Sequence, residues 1–240
     1  MRDLRITLSG LGNLWSVALS AAVVVAVIGI EASPVGAVNF ESYTTQTFAG
    51  PGSAGAFNVT TIPGFNRYLL VGYQHERAAD PGNEIQTLTY GGVPLTLAHR
   101  EVNPTAQEIS EIWYLENPAI GSASLSATLN GSTESGRGFR LTAINLSGAA
   151  QTAPEAATGT SATGTSASTP VTTLTDNAIL FGFTHHQATQ PHTPGAGITE
   201  IFDTSAVSIS AALGTKTQAI AGPTTFDWTW SGGTLNSQSV

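Results

Sequence analysis

Arg67-Tyr68-Leu69-Leu70-Val71-Gly72-Tyr73 is a nearly continuous apolar run, closed by the polar His75-Glu76-Arg77. It is too short to stand as a helix in water. Successive strand residues point to opposite faces, so a run without polar interruptions predicts a central strand covered on both sides. Outward from it the same signal recurs at Glu108 to Leu115, Ser122 to Leu129, Phe139 to Leu146, Ala178 to Phe183, Val207 to Leu213 and Phe226 to Trp230. The breakers Asn117-Pro118, Asn130-Gly131, Ser147-Gly148, Gly214 and Gly232 follow these runs, and strands spaced by roughly 8 to 12 residues predict an antiparallel sandwich rather than βαβ units. The fold class expected is therefore all-β, a jelly-roll-like antiparallel β-sandwich. Tyr90-Gly91-Gly92-Val93-Pro94-Leu95 places two glycines where a tight hairpin needs positive φ. Ala149 to Pro170, almost all Ala, Thr, Ser and Gly, reads as a long exposed loop inside the domain.

Before this body lies a segment of different character. Leu14 to Ile30 is seventeen residues without a charge, and a helix of that length reaches about 26 Å, just short of a bilayer core of about 30 Å. Two readings fit. As a signal peptide it has Arg2 and Arg5 in front and Val35-Gly36-Ala37 as a cleavage site behind Pro34. As a retained anchor it has the same arginines on one side, Glu31 on the other and Trp15 at the boundary, with Leu14, Val23, Val24, Val25, Ile28 and Ile30 in the lipid. Length leans toward the anchor. Residues 1–37 then form a cytoplasmic tip and a helix, and 38–240 an extracytoplasmic body; cleavage after Ala37 would release that body as a secreted protein.

Charge narrows the partners. The chain has a net charge of −8 and only 10% charged residues, so it lacks the basic footprint that a phosphate backbone requires, and nucleic acid is not an expected partner. Cysteine is absent, which leaves the body to be held by its core and hydrogen bonds.

The succession Arg67-Tyr68-Leu69-Leu70-Val71-Gly72, Leu88-Thr89-Tyr90-Gly91-Gly92-Val93-Pro94-Leu95-Thr96, Ile112-Trp113-Tyr114-Leu115-Glu116-Asn117-Pro118 and Ile144-Asn145-Leu146-Ser147-Gly148 resembles a β-sandwich module that recurs in secreted and surface proteins of bacteria and in phage structural proteins. The resemblance covers about residues 55 to 230; it implies fold and exposure, and brings no active site with it. Such modules close on an apolar strand, whereas this chain reads Thr234-Leu235-Asn236-Ser237-Gln238-Ser239-Val240. That predicts an open sheet edge, with Val38 to Phe48 as the segment to cover it, in its own subunit or by strand addition to a neighbour.

Candidate site residues each carry a structural reading beside the chemical one. His185 and His186 are adjacent on a strand and point to opposite faces. His185 and His192, with Glu200 or Asp203, could enclose a metal, against the alternative of hydrogen-bonded loop histidines. Asp80-Pro81-Gly82-Asn83-Glu84 offers the Asp80 and Glu84 oxygens to Ca²⁺, but also reads as a turn. Trp228 and Trp230 share a face, as a glycan platform or as core. Trp113 and Tyr114 face opposite ways, one to the core and one to the surface. His75-Glu76-Arg77 reads as a polar rim. Glu108 and Glu111 also face opposite ways, which argues against a paired-carboxylate glycosidase. No catalytic residue and no resident cofactor is assigned. The expected function is a non-catalytic, membrane-tethered structural subunit that contacts protein subunits of a membrane or envelope complex and enters the bilayer through residues 14–30. The alternatives are a carbohydrate-binding adhesin and a glycan-active enzyme.

Overall fold

A computed structural model describes residues 37–76, 84–103, 108–187, 190–206 and 209–240, with backbone alone at 205, 206, 209, 234 and 235. The anchor residues Leu14, Trp15, Val23, Val24, Val25, Ile28 and Ile30, and Asp80, lie outside the described residues. Among those described, every regular element is a strand and every pairing is antiparallel: β1 (Asn39–Phe48), β2 (Ala54–Thr61), β3 (Tyr68–Glu76), β4 (Ile85–Tyr90), β5 (Val93–Pro94), β6 (Thr96–Val102), β7 (Glu108–Glu116), β8 (Gly121–Leu129), β9 (Phe139–Ser147), β10 (Gly159–Thr173), β11 (Ala178–His186), β12 (Thr193–Pro194), β13 (Thr199–Ala206), β14 (Ile209–Gln218) and β15 (Gly222–Ser239). No helix among the described residues is long and apolar enough to cross a membrane.

The strands form a five-stranded sheet in the order β1-β9-β3-β7-β6, a four-stranded sheet β2-β8-β4-β5, and a third sheet β10-β15-β11-β14-β13 with β12 beside β15. β3 and β9 are buried at every residue. Alternation sends Leu69, Val71, Tyr73, Leu141 and Ala143 against Val59, Leu88 and Leu125 of the four-stranded sheet. It sends Tyr68, Leu70, Ile144 and Leu146 against Phe181, Phe183 and Leu213 of the third. The five-stranded sheet is thus the middle of three layers, where strand spacing predicted a two-sheet sandwich. Spacing counts strands and turns; it does not say how many sheets share them. Gly72 serves this stacking, because a Cβ there would lie 2.1 Å from the Phe183 ring, which occupies that space. The hairpin glycines Gly91 and Gly92 have φ of 56° and 82°, the left-handed pair that a two-residue turn between right-twisted strands requires.

The third sheet carries the largest departure from expectation. β10 and β15 pair over almost their full length, with the register broken between Gly164 and Ser166. There the ribbon folds back on itself: Thr160 Oγ1 meets Thr169 Oγ1 at 2.6 Å, and Gln238 Nε2 donates to the Phe226 carbonyl at 2.7 Å. The outer half lays Phe226 and Trp228 over Leu180 and Ala212. The inner half inserts Asn236 to Ser239 beside β11. Residues 159–173 are therefore a strand, not part of an exposed loop, with Ala167, Thr169, Val171 and Thr173 facing inward. The C-terminal segment is no blunt end either, because Asn236, Ser237, Gln238 and Ser239 are all buried and Ser239 Oγ donates to the Ser110 carbonyl. Small polar side chains can line an interior layer when backbone and neighbours bond them, and that layer has no apolar signature. Nor does the segment 38–48 cover an edge of the C-terminal strand: Asn39 to Phe48 pairs within its own chain along β9 of the middle sheet, while β15 lies between β10 and β11 of the third.

Candidate functional site

β3 and β11 run toward the same end of the stack, as Gln74 Nε2 donating to the Thr184 carbonyl at 2.6 Å shows. At that end the middle and third sheets enclose a set of ionisable side chains. Glu76 and Glu108 stand opposite each other on β3 and β7. Glu108 Oε2 lies 2.5 Å from His185 Nε2 with both side chains fully buried, and His185 Nε2 donates to the His75 carbonyl at 3.1 Å. Arg137, from the β8–β9 connection, forms an ion pair with Glu76. His75 Nδ1 is bonded to the Gly138 carbonyl at 2.7 Å.

Burial sets the protonation states. Loss of solvent, then the charge of Glu108, pushes Glu76 up to about 7 against the pull of Arg137 and His185. Burial pushes His185 down to about 4, so its imidazole is neutral near pH 7 and its Nε2 proton is held by a carbonyl that can only accept. His75-Glu76 is therefore no polar rim but an interior pair. The sequence signal for it was a polar ending on a strand whose neighbours are covered on both faces.

Glu111 points the other way, as alternation predicts. Its Oε1 accepts from Arg100 Nε at 2.8 Å and its Oε2 from Trp113 Nε1 at 2.6 Å. Burial raises its pKa despite those donors. Trp113 thereby anchors the core beside the four-stranded sheet, while Tyr114, on the opposite face, is half-buried and stacks on Tyr68 with ring centres 5.7 Å apart.

A second cluster lies on the far face of β11. His186 packs 4.4 Å from His192 and 4.8 Å from Trp230, ring centre to ring centre. Asp203 fixes His192 through both its backbone N–H, at 2.7 Å, and its Nδ1, at 2.9 Å. Burial raises the Asp203 pKa, but these two bonds and the nearby imidazoles outweigh it and hold it below the usual carboxylate range. His185 thus faces one side of β11, while His192, from the segment after it, packs against His186 on the other, and the two do not converge. Among the described residues no group of three or more His, Asp or Glu is arranged to hold a metal ion. Glu84 is engaged with Asn130, its carbonyl accepting the Asn130 N–H at 2.9 Å. Trp228 and Trp230 are 0% and 6% exposed; a sugar needs an open ring face, so the platform reading is withdrawn in favour of core.

No family model matches the chain. No curated protein matches it either.

Proposed function

We propose that this protein is a non-catalytic structural and interaction subunit, tethered to a membrane by residues 14–30, with its β-body outside the cytoplasm. The observation that carries the reading is the use made of its chemistry-bearing side chains: Glu108, Glu111, His185, His186, Trp228 and Trp230 are all buried and spent on contacts inside the body. A catalytic acid or base must reach a substrate proton, and a sugar-stacking ring must reach a sugar. The charge-free stretch Leu14 to Ile30 and its flanking charges supply the tether, and the scarcity of charge over the body suits broad protein contact.

The test is isolation of the protein from its native membranes. The expected result is an intact chain, resistant to alkaline extraction, that co-purifies in fixed stoichiometry with an integral-membrane partner. A mature N-terminus at Val38 in the intact mass refutes retention. A soluble monomer that binds glycan favours the adhesin, and glycan turnover favours the enzyme.

A further inference from the structure

Opposite the buried charges, several strand connections carry exposed large apolar side chains. Ile62 and Phe65 lie between β2 and β3, Ile120 between β7 and β8, Leu174 between β10 and β11, and Ile220 between β14 and β15; they are 40%, 62%, 55%, 69% and 74% exposed. Hydrogen bonds tie these connections together. Arg67 Nε donates to the Pro118 carbonyl at 2.9 Å, joining the loops of Phe65 and Ile120. The 148–158 segment bonds Phe65 through Gly148 N–H at 3.1 Å, and its Glu155 accepts the Leu174 N–H at 3.0 Å. Asp176 then accepts the Ala221 N–H at 2.8 Å, beside Ile220. Four of these connections each carry one or two exposed large apolar side chains, and the 148–158 segment helps tie them together.

The chain also enters the body here. Asn39, the first residue of β1, pairs with Ser147, the last residue of β9. Only the eight residues Glu31 to Val38 separate Ile30 from it, and that linker spans at most about 30 Å even when fully extended. Were residues 14–30 embedded in a bilayer, a linker of that length would hold Asn39 within its reach of the lipid. Large apolar side chains that stand on separate loop tips at one end of the body suit the headgroup boundary, where each can insert without a matching pocket.

We propose that this end rests on the lipid surface, with Phe65, Ile120, Leu174 and Ile220 inserted at the headgroup boundary; the inference rests on the tether reading and names what the body does at that membrane. The charge of the end selects the lipid. Arg67 is committed to the Gly64 and Pro118 carbonyls, and Lys216 donates to the Thr225 carbonyl, whereas Glu41, Glu116, Glu155 and Asp176 are carboxylates on or beside these connections. Docking on a zwitterionic surface is therefore apolar and indifferent to salt, and it is weaker on an anionic surface.

The absence of cysteine allows a direct test on the full chain. Single substitutions Phe65→Cys, Leu174→Cys, Ile220→Cys and, at the opposite end, Ser135→Cys are labelled with a polarity-sensitive fluorophore. The full chain is then reconstituted in phosphatidylcholine vesicles containing a doxyl-quencher lipid. The expected result is blue-shifted, strongly quenched labels at 65, 174 and 220, a water-like unquenched label at 135, no change up to molar salt, and weaker quenching when a third of the lipid is phosphatidylglycerol. Equal, water-like labels at all four sites in a chain that still floats with the vesicles overturn the docking and leave the tether intact. Loss of flotation overturns both. Labels shielded in native membranes but exposed in pure lipid overturn the lipid assignment and put a protein subunit on this face.

Discussion

At one end of the strands Glu76, Glu108 and His185 are shut inside protein, while at the other Phe65, Leu174 and Ile220 stand in solvent. Each end inverts the usual distribution, in which charge faces water and large apolar groups face the core. The costs differ in kind. A buried carboxylate lowers stability unless it is paired, hydrogen-bonded or protonated, so the interior end must be held by its partners Arg137, His185 and the facing backbone. An exposed isoleucine or phenylalanine costs folding little, and its penalty falls on solubility instead. The interior charges are thus a matter of folding, and the exposed apolar loops a matter of contact. Substitutions at the two ends should separate cleanly.

The largest effect is expected at a residue that joins the two kinds of interior. Trp113 packs in the apolar layer and satisfies the buried Glu111 carboxylate through its indole N–H. Trp113→Ala should lower the unfolding free energy by about 3–5 kcal/mol, toward the upper limit because Glu111 loses a donor, as read by chemical denaturation. A value below about 1 kcal/mol would mean that the indole is not core. Next comes Glu108→Gln, which keeps the volume but removes the carboxylate beside His185; a loss of about 1–3 kcal/mol is expected, with unchanged oligomeric state.

How much of this contrast was legible in the sequence depends on the type of signal. The apolar run of β3 announced burial on both faces, and β3 is buried on both faces. The Gly91-Gly92 turn and the opposite orientations of Glu108 and Glu111 followed from local geometry alone. The third layer did not, because its inner wall is Asn236-Ser237-Gln238-Ser239 and its edge strand is Thr-, Ser- and Ala-rich. Those residues carry no hydrophobic period, and only long-range pairing reveals that they are interior. The sequence already groups His192 with Asp203, and the two do meet; the stacking of His186 and His192 on Trp230 was hidden, since β11, the segment after it and β15 are brought together only by the sheet. The apolar end was hidden differently: Phe65, Leu174 and Ile220 each look unremarkable in a loop, and only the topology collects them.

The pH dependence separates the interior charges by sign. Glu76 has a raised pKa in the folded protein, about 7, so its contribution is fully present below its unfolded value of about 4.5 and is lost as pH rises toward 7. His185 is pushed down to about 4, so its contribution is present above about 6.5 and is lost as pH falls toward 4. Across pH 4 to 7 the two slopes oppose each other. Glu76→Gln removes the first slope, so the stability of the variant relative to the parent should rise from about pH 4.5 to 7. A parallel shift of the whole curve would instead show that Glu76 carries the same charge folded and unfolded.

The smallest effect on folding is expected at the apolar end, and it bears most directly on the contrast. Phe65, Leu174 and Ile220 are more than half exposed and belong to none of the three core clusters, so their removal creates no cavity and strands no polar partner. Phe65→Ser and Leu174→Ser, singly and together, should each change the unfolding free energy by no more than about 0.5 kcal/mol, and they should add, since the two residues lie on separate loops. Their effect should appear in self-association, with the double variant staying monodisperse in light scattering at detergent levels where the parent aggregates. Had these side chains been structural, the double variant would lose several kcal/mol and melt at a lower temperature. A melting curve that overlays the parent, together with improved solubility, would identify the loops as a surface kept apolar for contact rather than for folding.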